Sequence, residues 1–296
     1  MVRACAAVIL LLLGVSAPPG ANGESARPFA LTPPKPGFIQ IIRTADGSTV
    51  VGRISESAAD TVVFVTDLGA LHIPVNRIVS IRAISENDIR NGRYWFPSPN
   101  ATRLFFAPTG RMLKRGEGYF ADYYIFFPSF NYGVSDRLSL GGGLSILPSG
   151  SMKNQIYFFT PKIGLMRSEK VNVAAGALVI KLPHDVLDES LPLLSVLYGV
   201  GTYGSSDRSV TVGMGYGFAD RKVGDRPVFV LGGEYRMIRK ISLVTENWII
   251  PGAEDMLSSL GVRFFGEDLS ADLALLRAVG KNSSPGIPYV DFVYHF

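Results

Sequence analysis

Between Ser209 and Phe218 the chain alternates without a break. Val210, Val212, Met214, Tyr216 and Phe218 fall on one face of an extended strand; Ser209, Thr211, Gly213, Gly215 and Gly217 fall on the other. A helix would scatter these apolar residues round its circumference, and only period two collects them. Arg137–Ile146 repeats the pattern, with Leu138, Leu140, Leu144 and Ile146 against Ser139, Gly141, Gly143 and Ser145. The terminal stretch Gly286–Phe296 sets Val290, Phe292, Tyr294 and Phe296 against Tyr289, Asp291, Val293 and His295. In water, such aromatic rows invite aggregation. Against lipid they are stable, provided the strands close into a barrel that leaves no edge.

Further alternating segments fall at Tyr119–Tyr132, Gln155–Leu165, Lys170–Lys181, Leu193–Tyr203, Pro227–Met237, Lys240–Ile250, Leu257–Phe265 and Leu269–Leu276. Brief turns (Ser135-Asp136, Arg167–Glu169, Gly204–Asp207, Ile238-Arg239, Gly266-Glu267) alternate with longer connections at Pro148–Asn154, Pro183–Leu191, Ala219–Arg226, Pro251–Met256 and Ala278–Gly286. In outer-membrane barrels the short turns lie in the periplasm and the longer loops outside. The terminal strand therefore runs inward. Parity then requires a strand before Tyr119, and Thr102–Pro108 supplies it, with Gly110–Glu117 as its loop. The expectation is an all-β chain with a transmembrane antiparallel barrel of twelve strands, ten as the fallback, closed by pairing Thr102–Pro108 with the terminal strand.

Composition agrees with that solvent. Mean hydropathy is +0.23, yet outside the N-terminus no run approaches the roughly 18 apolar residues of a spanning helix. Residues 1–23 read as a signal peptide: Arg3, the apolar run Ala6–Gly14, and the small-residue site Ala21-Asn22-Gly23. Cys5, the only cysteine, precedes the apolar run, so lipoprotein processing, disulfides, thiolate metal sites and thiol nucleophiles are not expected of the mature chain. Of 29 basic residues, 28 remain without Arg3, against 25 acidic ones; they form no basic stripe, so no nucleic-acid partner is expected.

Residues 24–37 read as a Pro-rich linker, and residues 38–84 as a small β module with strands at Phe38–Thr44, Ser48–Ile54, Thr61–Thr66, Ala70–Pro74 and Arg77–Ile81. Residues 85–101 read as a short helix, begun by a capping Ser85 and running to Arg93, and a linker broken by Pro97 and Pro99. Residues 102–296 form the barrel.

With the apolar rows outward, an inward set appears: Glu234, Arg236, Glu246, Arg263, Asp272 and Asp291, joined by Asp122 and Lys162. Arg or Lys against lipid near the midplane costs ~2–4 kcal/mol. The mixed signs point to an ion-paired interior or a hydrated, selective lumen. No motif carries catalysis. Gly199–Gly204 matches G-x-G-x-x-G but opens no helix. His72, His184 and His295 are never paired at metal-ligand spacing, so no metal or cofactor is expected. His184-Asp185, in an outer loop, would form a hydrolase site only with a serine at the barrel rim.

Two resemblances add to this. "D-G-S-T-V-V-G-R-I" (46–54) and "I-P-V-N-R-I-V-S-I" (73–81) resemble Sm-like or SH3-like modules. Asn100-Ala101-Thr102-Arg103, Lys114–Tyr119, Asn131–Asp136 and Gly141-Gly142-Gly143 resemble a set of uncharacterised bacterial outer-membrane barrel proteins. That second resemblance implies the bacterial outer membrane, with the module in the periplasm, and no particular activity. The alternating Phe292, Tyr294 and Phe296 resemble the C-terminal signal read by the barrel-assembly machinery. The expected partners are outer-membrane lipid, that machinery, and a periplasmic protein bound through residues 38–84. The expected role is non-enzymatic, in small-solute passage or envelope organisation. The alternatives are an outer-membrane lipid-modifying enzyme, or a membrane-anchored scaffold whose module binds a protein.

Overall fold

The structure is a computed structural model that describes residues 31–148, 154–182, 193–219, 222–250, 255–280 and 285–296. The signal peptide, the first half of the 24–37 linker and His184-Asp185 lie outside them. The chain divides into two compact units between Trp95 and Phe96.

The first unit carries β1 (Phe38–Thr44), β2 (Thr49–Ser57), β3 (Thr61–Thr66), β4 (Gly69–Pro74) and β5 (Ile78–Ser85). Its sheet runs β4-β3-β2-β1-β5, antiparallel throughout. Alternation turns Ile42, Ile54, Val62, Phe64, Ile73 and Ile78 into one buried cluster. At 85–93 the expected helix is not formed. Ser85 Oγ caps only a 3₁₀ turn at Glu86–Asp88, accepting from the Asn87 N–H at 3.3 Å. The chain then folds back as a minimal hairpin, β6 (Ile89–Arg90) and β7 (Arg93–Tyr94). The reason is Asn91-Gly92, whose φ values of 52° and 68° form the left-handed pair that closes two-residue hairpins.

The second unit is a closed antiparallel barrel with no α-helix among the described residues. Its strands are β8 (Gly118–Tyr123), β9 (Phe127–Ser135), β10 (Leu138–Leu144), β11 (Tyr157–Phe159), β12 (Lys162–Arg167), β13 (Val171–Lys181), β14 (Leu194–Gly204), β15 (Arg208–Ala219), β16 (Lys222–Val223), β17 (Val228–Ile238), β18 (Ile241–Ile249), β19 (Asp255–Phe265), β20 (Leu269–Gly280) and β21 (Ile287–His295). Of these fourteen, β16 is a two-residue flap on β15. β11 and β12 share one position between β10 and β13, interrupted at Thr160-Pro161. Twelve positions therefore circle the wall.

The twelve are not composed as the alternation suggested. Thr102–Pro108 is no barrel strand: β21 closes the barrel on β8, with His295 opposite Tyr119 and Asp291 opposite Tyr123. The missing strand comes from splitting Tyr119–Tyr132 into β8 and β9 at a turn whose Tyr124 and Ile125 have φ of 54° and 68°. Neither residue is Gly, Asn or Asp, so the turn carries no local signal. Parity, and with it the direction of the last strand, is unchanged.

Val210, Val212, Met214 and Tyr216 stand exposed on the outer surface, while Ser209 and Thr211 are buried inside. Asp122 departs from the expected inward set. It lies opposite the exposed Phe292, while its neighbours Ala121 and Tyr123 face Val293 and Asp291 across the inner side. Tyr119–Tyr123 has aromatics on both faces, so its phase is legible only from its partner strand.

Candidate functional site: a luminal hairpin and the cavity above it

Of residues 96–117, those from Ser98 to Leu113 run through the barrel lumen, and Lys114–Glu117 lie exposed beside the β9–β10 turn. Ser98, Asn100, Thr102–Phe105, Ala107 and Thr109 are buried. The segment folds back on itself: the Leu104 N–H donates to Ala107 O at 2.8 Å, the Thr109 N–H to Thr102 O at 3.0 Å, and Arg103 bridges Pro108. Leu104, Phe105 and Ala107 pack on Val230, Val244 and Tyr289 of the wall. The expected strand at Thr102–Pro108 is thus itself folded into a tight inner hairpin turned at Phe105-Phe106, and Gly110–Glu117 leads from it to β8. The hairpin's apolar residues are satisfied by the lumen instead of lipid.

The inward charges converge on this hairpin. Glu246 Oε2 accepts from three successive backbone N–H groups, Phe105 and Ala107 at 2.9 Å and Phe106 at 3.0 Å, while its Oε1 accepts from Trp248 Nε1 at 2.7 Å. Successive amides aimed at one oxygen form an anion nest, here filled by the wall's own carboxylate. Arg263 uses all five of its donors. Nε and Nη2 grip Asp272 at 2.8 and 2.7 Å; Nη1 reaches Glu234 at 2.9 Å and Asn100 O at 3.1 Å; Nη2 also reaches Leu104 O at 2.7 Å. The fork-on-fork pair follows from register, because Arg263 and Asp272 face each other across β19 and β20. Arg236 donates to Phe96 O at 2.8 Å and to Asp207 Oδ1 at 2.9 Å.

Asp291 sits beside Asp272 across β20 and β21, a like-charge pair that is destabilising alone. Each carboxylate has its own arginine: Arg263 for Asp272, and Arg103 of the hairpin for Asp291. Arg103 also donates to Asn100 Oδ1 at 3.0 Å and to Phe105 O, and the Tyr289 O–H donates to Asp291 at 2.5 Å and to Phe105 O at 3.2 Å. Glu234, Arg236, Glu246, Arg263, Asp272 and Asp291 are all buried; Arg236, Glu246 and Arg263 bond the backbone of the inner segment, Glu234 and Asp272 join through Arg263, and Asp291 through Arg103.

From the opposite wall Lys162 Nζ donates to three hairpin carbonyls, Arg111 O at 2.7 Å and Thr102 O and Thr109 O at 3.3 Å. The Gly110 N–H donates to Thr202 Oγ1 at 2.8 Å, and Arg111 reaches Gly204 O at 3.1 Å. Arg103, Tyr289 and Thr202 were not singled out from the sequence. The available signal was Arg103 itself, a charge inside a stretch assigned to lipid.

Phe292, Tyr294 and Phe296 project from the outer surface. His295 is half-buried against Tyr119 at the short-turn end, and His72 is exposed in the first unit.

Beside the hairpin lies a cavity of about 260 Å³, bounded by Thr102, Arg103 and Phe106 of the hairpin and by the walls from β8 to β18. Its aliphatic and aromatic lining, including Leu178, Val196, Val230 and Trp248, comes from residues near the long-connection ends of their strands.

No known protein-family profile matches the chain, and no curated protein matches it in sequence. Among solved structures it is similar to the KdgM porin, at 11% identity and a TM-score of 0.44 over 61% of this chain and 98% of that one. It is similar to OmpT, an outer membrane protein of Vibrio cholerae, in a loop L8 deletion form, at 14% identity and a TM-score of 0.36 over 88% and 96%. A third likeness is to the NanC porin, at 6% identity and a TM-score of 0.37 over 60% and 97%. These likenesses concern the barrel fold alone.

Proposed function

We propose that the chain is an integral, non-enzymatic outer-membrane barrel for small-solute passage whose lumen is held closed at rest by its own residues 98–113. One observation carries this reading. Three inward charges that would line a hydrated channel, Glu246, Arg263 and Lys162, spend donors and acceptors on the backbone of the inner segment, and a fourth, Asp291, is paired with its Arg103. Closure is therefore built from hydrogen bonds that exchange with water, and passage requires the hairpin to shift. The apolar outer rows and the short turns at the end holding the C-terminus support a lipid setting with that end in the periplasm. Phe292, Tyr294 and Phe296 serve assembly in this reading.

A second role, as a membrane-anchored scaffold, is favoured by the first unit. Its strand order suits an SH3-like or Sm-like module, and among the described residues β4 and β5 are the outer strands of its sheet, to which a periplasmic partner could add a strand.

Planar-bilayer recording tests the main reading. Wild-type protein is expected to be silent or to open rarely, and a Glu246→Ala/Asp291→Ala double variant to give frequent ohmic steps. Wild type conducting as freely as the double variant would refute the closed lumen. Silence from both, when both are folded, would refute passage.

A further inference from the structure

We propose that the cavity beside the hairpin is a binding site for a single-chain amphiphile with a carboxylate head, held head-down toward Lys162. This deepens the passage reading by giving the solute a chemistry, and it rests on that reading only for the direction of entry.

The charge of the lining points to the head. Among the described residues, two cations, Arg103 and Lys162, contribute to the cavity surface, and no aspartate or glutamate does. Arg103 already has Asp291. Lys162 is 8% exposed and has three backbone carbonyls as partners; among the described residues no carboxylate lies within 4 Å of it. A buried amine that meets only neutral carbonyls has no counter-charge among the described residues, so an anion placed beside it would stabilise its charged form. Ser139, directly opposite Lys162 across β10 and β12, lines the same end of the cavity, and its Oγ is buried with no hydrogen-bond partner. A carboxylate there would accept from Ser139 and neutralise Lys162. Asn131 and Thr160 add polar edges at that level.

The other end fixes the tail. Phe158, Leu178, Val196, Val230 and Trp248 line the part of the cavity nearest the long connections, where among the described residues no charged side chain reaches the cavity surface. Polar groups deep and apolar groups shallow orient an amphiphile with its head toward the hairpin. At ~30 Å³ for each water-sized group, about 260 Å³ holds roughly nine such groups, enough for a chain of about eight to ten carbons.

The test is equilibrium binding to the full chain in lipid nanodiscs, with radiolabelled decanoate, 1-decanol and decyltrimethylammonium measured against empty discs. Decanoate is expected to bind saturably, one per barrel, at least tenfold more tightly than decyltrimethylammonium. Val196→Trp, which fills the tail end away from the hairpin, should abolish that binding while the barrel still shows a folded mobility on gels. Lys162→Met should bring decanoate and decanol to equal affinity. If that variant does not fold, the three-headgroup comparison and Val196→Trp decide alone. Equal saturable binding of all three probes, or none above empty discs, would overturn the proposal. Because binding is read without current, a failed conductance experiment and a failed binding experiment remain separate results.

Discussion

Arg103 Nη2 donates to Asp291 Oδ2 at 2.6 Å across 188 positions of chain, with both side chains buried. The bond joins the tip of the luminal hairpin to the strand that closes the barrel. Removing one partner strands the other charge in a low-dielectric interior, which costs about 3–5 kcal/mol, whereas an apolar pair of similar volume is often neutral. Asp291→Asn and Arg103→Met are each expected to lower barrel stability by about that much. The Arg103→Met/Asp291→Leu double variant should lose far less than the sum. Denaturant titrations of the detergent-solubilised protein measure this, and simple additivity would show that the two groups act independently.

Gly110 is where the hairpin comes closest to the wall. A Cβ built there would lie 2.1 Å from Asn172 O, so any side chain must push the segment off β13 and β14. That shift would also stretch the Gly110 N–H bond to Thr202. Gly110→Ala is expected to cost about 1–3 kcal/mol, the range for overpacking, and to increase open time in planar bilayers. A variant as stable and as silent as wild type would show that the hairpin is not seated against this wall.

The β8–β9 turn stores strain. Tyr124 and Ile125 hold left-handed φ, a region that costs a side-chain-bearing residue about 1–2 kcal/mol and a β-branched one most of all. Ile125 is largely exposed at the tip, so little packing offsets the cost. Ile125→Gly should therefore stabilise the barrel by about 1 kcal/mol after allowing for the greater freedom of glycine in the unfolded chain. An unchanged or lower unfolding midpoint would mean the outer surface of Ile125 matters more than its backbone.

The wall of this protein was legible because lipid imposes a rule on every residue of a spanning strand. Val210 to Phe218 and Val290 to Phe296 show it plainly, and Glu234, Arg263 and Asp272 had nowhere to go but inward. The hairpin obeys no such rule. It is held largely by its own carbonyls and amides, such as Leu104 O on Arg263 and the amides of Phe105 to Ala107 on Glu246, and backbone groups leave no trace in a sequence. Its Leu104 and Phe106 mimic a strand's apolar row, and only Arg103, just ahead of them, argues otherwise. Asn91-Gly92 differs, because an Asn-Gly pair is a legible hairpin signal, and the helix read from Ser85 to Arg93 runs straight through it.

In the small module Asp46 closes the β1–β2 turn. Its Oδ1 accepts from the Thr44 hydroxyl at 2.5 Å and from the Ser48 N–H at 3.0 Å. These bonds, the Thr44 hydroxyl foremost, lower its pKa from the ordinary 3.8 to about 2. A carboxylate depressed on folding stabilises the folded state above its unfolded pKa, and that contribution fades as pH falls from about 4 through about 2. Asp46→Ala should flatten the pH dependence of the module's unfolding in that window and leave the wall of the barrel untouched. A carboxyl carbon titration near pH 4 in the folded chain would refute the assignment.

Phe296 separates a seam from a signal. Its N–H donates to Gly118 O and its carbonyl accepts from the Gly118 N–H, both at 3.0 Å, which makes the last rung between β21 and β8. Its ring lies outside, stacked on Phe130 with centroids 5.6 Å apart. Phe296→Ala keeps the rung and removes the ring, so protein refolded in detergent should lose no more than about 1 kcal/mol. If the alternating Phe292, Tyr294 and Phe296 are what the assembly machinery reads, the same substitution should lower the membrane yield of folded protein several-fold. Deleting Phe296 removes the rung as well, adding roughly 1–3 kcal/mol for two hydrogen bonds. Equal membrane yields for wild type and Phe296→Ala would leave the ring a minor packing group, and the closing rung would then be the whole contribution of this residue.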